Sequence, residues 1–179
     1  MKPSNVLVLP GWENSGAGHW QTLWEQRHGY VRVEQHDWSR PLRGDWLARL
    51  EETVLARDEP CVLVAHSLGC ILAAAWSARS LHTHRVRAAL LVAPADMEQA
   101  QWREQLPTWN PIDLGPLAFP SVVVASSDDP FCAIERSRLF AHAWGAQFID
   151  YGPAGHLNAA SGLASWPEGH VLLQDLMKD

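Results

Sequence analysis

Ser67 lies in Ala65-His66-Ser67-Leu68-Gly69, between the apolar run Cys61–Ala65 and an Ala-rich segment that begins at Leu68. This is the G-x-S-x-G pattern with Ala in the first small position. Small residues are needed on both sides because a serine on a sharp strand-to-helix turn leaves no room for bulk against strand or helix. Such a turn aims the Ser Oγ out of the sheet and over a helix N-terminus, where negative charge is favoured. The chemistry would be nucleophilic attack on a carbonyl. The bland alternative is that Ser67 simply caps the helix, for which serine is well suited.

A serine hydroxyl is a poor nucleophile at neutral pH unless a histidine takes its proton and a carboxylate fixes that histidine's tautomer. Ser126-Ser127-Asp128-Asp129-Pro130 follows the apolar run Ser121–Ala125, and Tyr151-Gly152-Pro153-Ala154-Gly155-His156 follows Gln147–Tyr151. The chain order is thus Ser67, an aspartate, then His156, each at the C-terminal end of an expected strand, where open α/β sheets bind ligands. Asp128 and Asp129 compete for the acid, and the other is expected to cap a turn. Pro10-Gly11-Trp12 ends the first apolar run, so the Trp12 backbone N–H, opposite that of Leu68, would complete an oxyanion hole. Trp12, Trp102 and Trp109 fall in loops and are expected to wall a pocket for an apolar or aromatic acyl or alcohol group.

Other reactive residues carry weaker signals. His66 adjoins the nucleophile, but its side chain is expected to pack elsewhere. His19, His28, His36, His142 and His170 suit helix surfaces or caps, and Cys61 and Cys70 suit the core. Cys132, in the acid loop, is expected to be partly exposed but without a base of its own. His82-Thr83-His84 has no flanking carboxylate or cysteine in sequence, so no metal is expected. No P-loop and no G-x-G-x-x-G follows a strand, so no cofactor is expected either.

The elements that would position these groups alternate. Val6–Leu9, Tyr30–Val33, Cys61–Ala65, Val86–Ala93, Ser121–Ala125 and Gln147–Tyr151 read as strands. Trp20–Arg27, Asp45–Ala56, Leu68–Ala78, Ile134–Trp144 and Glu168–Met177 have helical spacing. In the second helix Trp46, Leu47, Leu50, Val54 and Leu55 share a face, with Asp45 at its start. Strands apolar at consecutive positions are buried on both faces, so the expectation is a three-layer α/β/α sandwich around a parallel sheet. Residues 96–120, rich in proline, would form a small lid or binding wall.

The chain has 179 residues, net charge −6, 47% apolar and 19% charged residues, which fits a single folded domain over residues 1–179. An acidic chain without a Lys/Arg cluster argues against nucleic acid as a partner. Val6–Leu9 stops at Pro10-Gly11, too short for a signal peptide or a membrane span, and the odd cysteine count gives no disulfide framework. A cytoplasmic protein without membrane attachment is expected, as a monomer or a homodimer. Ten tryptophans are several times the usual share.

Four stretches together resemble the small YdeN-type serine hydrolases, the family that includes retinoblastoma-binding protein 9. They are Leu9-Pro10-Gly11 with Trp20-Gln21; Val64–Gly69; Ser126–Phe131; and Gly155-His156-Leu157-Asn158 leading to Ser161-Gly162 and Trp166-Pro167. The resemblance implies a trimmed α/β-hydrolase fold with about six parallel strands in the order 2-1-3-4-5-6. It also implies Ser67, Asp129 and His156 as the triad, with the aspartate before proline as the acid, and hydrolysis of esters or amides. No Leu-x-Cys-x-Glu retinoblastoma-binding sequence is present, so that partner does not carry over. The expectation is a serine hydrolase of carboxylesterase type acting on small esters or amides. The rival expectation is a binding module on the same fold, with little turnover.

Overall fold

The computed structural model describes residues 1–178. In the strand Cys61–His66, Val62 and Val64 belong to the core on one side of the sheet, and Cys61, Leu63 and Ala65 to the core on the other. That double burial is the physical content of its unbroken apolar run.

Six strands form one sheet: β1 (Val6–Leu9), β2 (Val31–Arg32), β3 (Cys61–His66), β4 (Val86–Val92), β5 (Ser121–Ala125) and β6 (Gln147–Asp150). Their order is β2-β1-β3-β4-β5-β6, and every neighbouring pair is parallel. Between them run α1 (Trp20–His28), α2 (Arg43–Leu55), α3 (Leu68–Ser77), α4 (Ala100–Gln105) and α5 (Ile134–Trp144), and α6 (Pro167–Leu176) closes the chain. Side chains of α1 and α6 fill one face, among them Trp20, Trp24 and Leu173; those of α2, α3 and α5 fill the other, among them Trp46, Ile71 and Phe140. The result is a three-layer α/β sandwich.

Several boundaries differ from the sequence expectation, for tertiary reasons. α2 starts at Arg43 rather than Asp45, because the Arg43 amide donates to Thr108 Oγ1 at 3.2 Å, a partner far along the chain. Asp45 then lies in the first turn, where a carboxylate suits the helix dipole. Leu55, assigned to the apolar face, is exposed at the last turn of α2. β2 shortens to Val31–Arg32, an edge strand with a single neighbour.

Residues 96–120 are not one unit. Met97 and Trp102 face a cleft at the C-terminal edge of the sheet, whereas Leu106, Trp109, Ile112 and Phe119 are buried in the core. Trp109 is therefore corrected from pocket wall to core. It is wholly buried, packs edge-on against Trp46 at 5.3 Å between ring centres, and donates its indole N–H to Pro41 O at 2.9 Å. A buried indole settles where its N–H finds an acceptor, and that acceptor lies on the α2 side.

Candidate active site

Ser67 links β3 to α3 with φ 56° and ψ −120°, a conformation that costs a non-glycine residue free energy and persists only when its surroundings impose it. Those surroundings are close-packed. A Cβ on Gly69 would lie 2.2 Å from Leu9 O, and one on Gly11 would lie 2.8 Å from Ser67 Cβ. Glycine at both positions lets the end of β1 lie directly against the turn. The Leu68 amide opens α3 and the Trp12 amide follows Gly11; neither donates to a protein acceptor among the described residues. Two backbone donors thus stay free beside the serine.

His156 stands over that serine. Its Nε2 is 2.9 Å from Ser67 Oγ, and its Nδ1 is 2.8 and 2.9 Å from the two carboxylate oxygens of Asp129. An ionised carboxylate only accepts, so Nδ1 carries the proton and Nε2 is the atom free to receive one from Ser67. Asp129 and His156 are both almost fully buried, which strengthens the pair electrostatically.

The loop that carries His156 is held at successive residues. Asp128 Oδ1 accepts the amides of Ala154 and Gly155 at 2.8 and 2.7 Å and the hydroxyl of Ser126 at 2.7 Å. These bonds, that of Ser126 first, hold the Asp128 carboxyl below its usual range. His66 Nε2 donates to His156 O at 2.9 Å, and Trp20 Nε1 donates to Leu157 O at 2.8 Å. His66 is buried and neutral, its affinity for a proton pushed well down by desolvation and then by the neighbouring His156 and His19. Its side chain therefore lies in the site, contrary to the expectation that it packs elsewhere. Gln21 closes the floor, donating to Leu9 O at 3.2 Å and Val64 O at 3.0 Å and so joining the ends of β1 and β3.

A cleft of about 560 Å³ opens at Ser67. Trp12, Trp102 and Phe131 form one continuous aromatic wall: the Trp rings meet edge-on at 5.9 Å, Phe131 lies 5.6 Å from Trp102, and Phe131 packs on His156 at 4.4 Å. Trp12 is anchored through its indole N–H to Ser39 O at 2.9 Å. Met97 carries no signal in the sequence, and Phe131 carries one only as the end of the family-like stretch Ser126–Phe131; both line the cleft. Cys132, expected to be partly exposed, is buried beside Ser137, and burial pushes its thiol up to about 12. It is inert in that state. His82, whose sequence neighbours offered no carboxylate, is paired with Glu51 at 2.7 Å. Among the described residues no group of three His, Cys, Asp or Glu is placed to hold a metal ion.

A serine on a strand-to-helix elbow of a six-stranded parallel sheet, backed by a histidine from a later strand end, defines an α/β-hydrolase. The chain belongs to the serine hydrolase family, whose model matches residues 6–175. A YdeN-like hydrolase from Pectobacterium atrosepticum is 26% identical, with TM-score 0.86 over 97% of this chain and 90% of that one. The ydeN gene product of B. subtilis is 20% identical, with TM-score 0.78 over 97% and 98%. Thermogutta terrifontis esterase 2, 19% identical, superposes with TM-score 0.68 over 99% and 85%. The curated proteins contain no significant match. Among the described residues no helix is long and apolar enough to cross a membrane.

Proposed function

We propose that this serine hydrolase cleaves small carboxylic esters through an acyl-enzyme on Ser67, with His156 as the general base and Asp129 as the acid that orients it. The observation that carries this reading is the bridging of His156 between Asp129 at 2.8 Å and Ser67 at 2.9 Å. His156 Nε2 takes the hydroxyl proton as Ser67 Oγ attacks the acyl carbon, and Asp129 stabilises the imidazolium that results. In this reading the amides of Trp12 and Leu68 receive the carbonyl oxygen as it gains charge. Two preorganised donors there are worth several kcal/mol in the transition state, about 3–4 kcal/mol each. His156 then protonates the departing alcohol, and water deacylates Ser67 by the same proton route in reverse. Amides share this route but expel a poorer leaving group, which favours esters as the substrates.

The aromatic wall of Trp12, Trp102 and Phe131 suits an apolar or aromatic group next to the scissile bond. A fluorophosphonate probe tests the assignment, since it should label Ser67 and no other residue. A folded protein that stays unlabelled and turns over p-nitrophenyl acetate no faster than Ser67→Ala would overturn it.

A further inference from the structure

The loop that carries the Trp12 amide is held from behind by Arg32. This arginine lies on the edge strand β2, in register with Val8 of β1. Its side chain is only 12% exposed. The guanidinium donates from Nε to Glu25 Oε1 at 2.9 Å and from Nη2 to Thr22 Oγ1 at 2.7 Å. Its Nη1 donates to Asn14 Oδ1 at 2.7 Å and to Ser15 O at 3.2 Å. The Thr22 hydroxyl in turn donates to the same Ser15 O at 2.9 Å. An ion pair with Glu25 uses Nε alone; the remaining bonds go to the loop or to the hydroxyl that holds it.

The loop requires that support. The Asn14 amide donates to Gly11 O at 3.1 Å, which closes a turn with Trp12 and Glu13 as its central residues. Glu13 has φ 63°, a value that turns usually assign to glycine at that position. Asn14 follows with φ 68°, so two consecutive non-glycine residues are left-handed. Such backbone persists only where the surroundings impose it. At the other end of the turn, Gly11 is pressed against Ser67 too closely for a Cβ. Asn14 Oδ1 accepts both Arg32 Nη1 and the Ser15 amide, at 2.7 and 2.8 Å, so Asn14 is the point where the tether meets the turn.

We propose that Arg32 is a positioning residue for ester hydrolysis: by fastening Asn14 and Ser15 to α1, it holds the turn whose Trp12 amide receives the oxyanion. This rests on the ester-hydrolase reading and adds to it a residue remote from the reacting atoms. Without the tether, Glu13 and Asn14 relax toward ordinary φ and the Trp12 amide moves with them. The loss falls on the transition state, where the oxyanion carries full charge, more than on substrate binding. Lysine does not replace this arginine, because a compact ammonium cannot reach Glu25, Asn14, Ser15 and Thr22 together as the planar fork does.

The test compares wild type with Arg32→Met, Arg32→Lys and Asn14→Gly on p-nitrophenyl acetate. Methionine keeps an unbranched stem without the guanidinium; glycine removes the acceptor yet accepts a positive φ. In each variant kcat/KM should fall roughly ten- to hundredfold. Two ketones then separate positioning from general damage. Ser67 Oγ adds to the carbonyl carbon of 1,1,1-trifluoro-4-phenylbutan-2-one; its proton passes to His156 Nε2 and the carbonyl electron pair to oxygen, so this ketone reads the oxyanion. The plain ketone 4-phenylbutan-2-one stays trigonal and reads the pocket alone. The inhibition constant of the first should rise by about the factor that kcat/KM falls, while that of the second stays within about twofold. Arg32→Lys/Asn14→Gly should lose no more than the worse single variant, since both changes break one tether. An unchanged kcat/KM in any folded variant, equal weakening of both ketones, or additive losses in the double variant overturns the proposal. If Arg32→Met does not fold, the other three variants carry the same test. A wild type labelled by the fluorophosphonate, with variants unaffected, refutes this proposal alone; an unlabelled wild type refutes the hydrolase reading and the proposal with it.

Discussion

Asp128 and Asp129, neighbours in sequence, hold two parts of one loop: Asp128 accepts the Gly155 amide at 2.7 Å, and Asp129 accepts Nδ1 of the next residue, His156, at 2.8 Å. One aspartate sets where the histidine backbone lies and the other sets how its ring is turned. The two should separate in mutagenesis. Asp129→Asn presents the wrong hydrogen-bonding partner to Nδ1, and kcat is expected to fall by about 10⁴. Asp128→Ala releases the Gly155 amide and leaves that of Ala154 only Ser126 Oγ as acceptor, and the looser ring placement should lower kcat by roughly 10- to 100-fold with KM nearly unchanged. Steady-state kinetics on p-nitrophenyl acetate measures both; equal losses would show that Asp128 does more than hold the loop.

The strain at Ser67 gives a second prediction. Glycine tolerates a φ of 56° that serine does not favour, so Ser67→Gly should lose fluorophosphonate labelling yet raise stability by about 1 kcal/mol. Ser67→Ala keeps the strain and should lose labelling with its melting temperature unchanged. Urea denaturation of the three proteins decides the matter, and a destabilised Ser67→Gly would contradict the strain argument.

Two loop tryptophans are expected to respond in opposite ways. Trp109 is wholly buried against Trp46, so Trp109→Ala should cost about 3–5 kcal/mol. Trp102 belongs to the cleft wall, and Trp102→Ala should leave stability within about 1 kcal/mol while raising KM for aromatic esters roughly five- to tenfold. Chemical denaturation combined with kinetics on the two variants separates core from wall.

Stability should also depend on pH through the buried histidines. Unfolded, His19 titrates at 6.5; folded, burial first, then the neighbouring His156 and the Arg32 guanidinium, push it down to about 4. The unfolded chain thus binds the proton first. The stabilisation is complete above pH 6.5 and disappears as pH falls toward 4, a change of roughly 3 kcal/mol from this histidine alone. His66 adds in the same direction. Urea midpoints at pH 7, 5.5 and 4 should therefore decline, and the decline should be shallower in His19→Phe. A pH-independent midpoint over that range would remove the argument.

Sequence alone determined much of this protein. Consecutive apolar positions such as Val62–Ala65 announced strands buried on both faces, and small residues around Ser67 announced the elbow, because these patterns reflect local sterics and burial. The six strands, their parallel pairing and their order were legible on that basis together with the family resemblance. Residue spacing placed Ser67, an aspartate and His156 at strand ends, although the choice between Asp128 and Asp129 leaned on the resemblance.

Only the tertiary structure decided what long-range hydrogen bonds decide. Thr108, far along the chain, starts α2 at Arg43, and Pro41 draws Trp109 into the core. The tryptophans divide on the same physical basis: Trp20, Trp24, Trp46, Trp76, Trp109, Trp144 and Trp166 are wholly buried, and each donates its indole N–H to a distant acceptor. His66 reaches His156 O and Asp128 reaches the Gly155 amide because folding brings together groups that no spacing in the chain relates. Periodicity reports which face of an element is buried; it does not report which polar atom waits on the other side.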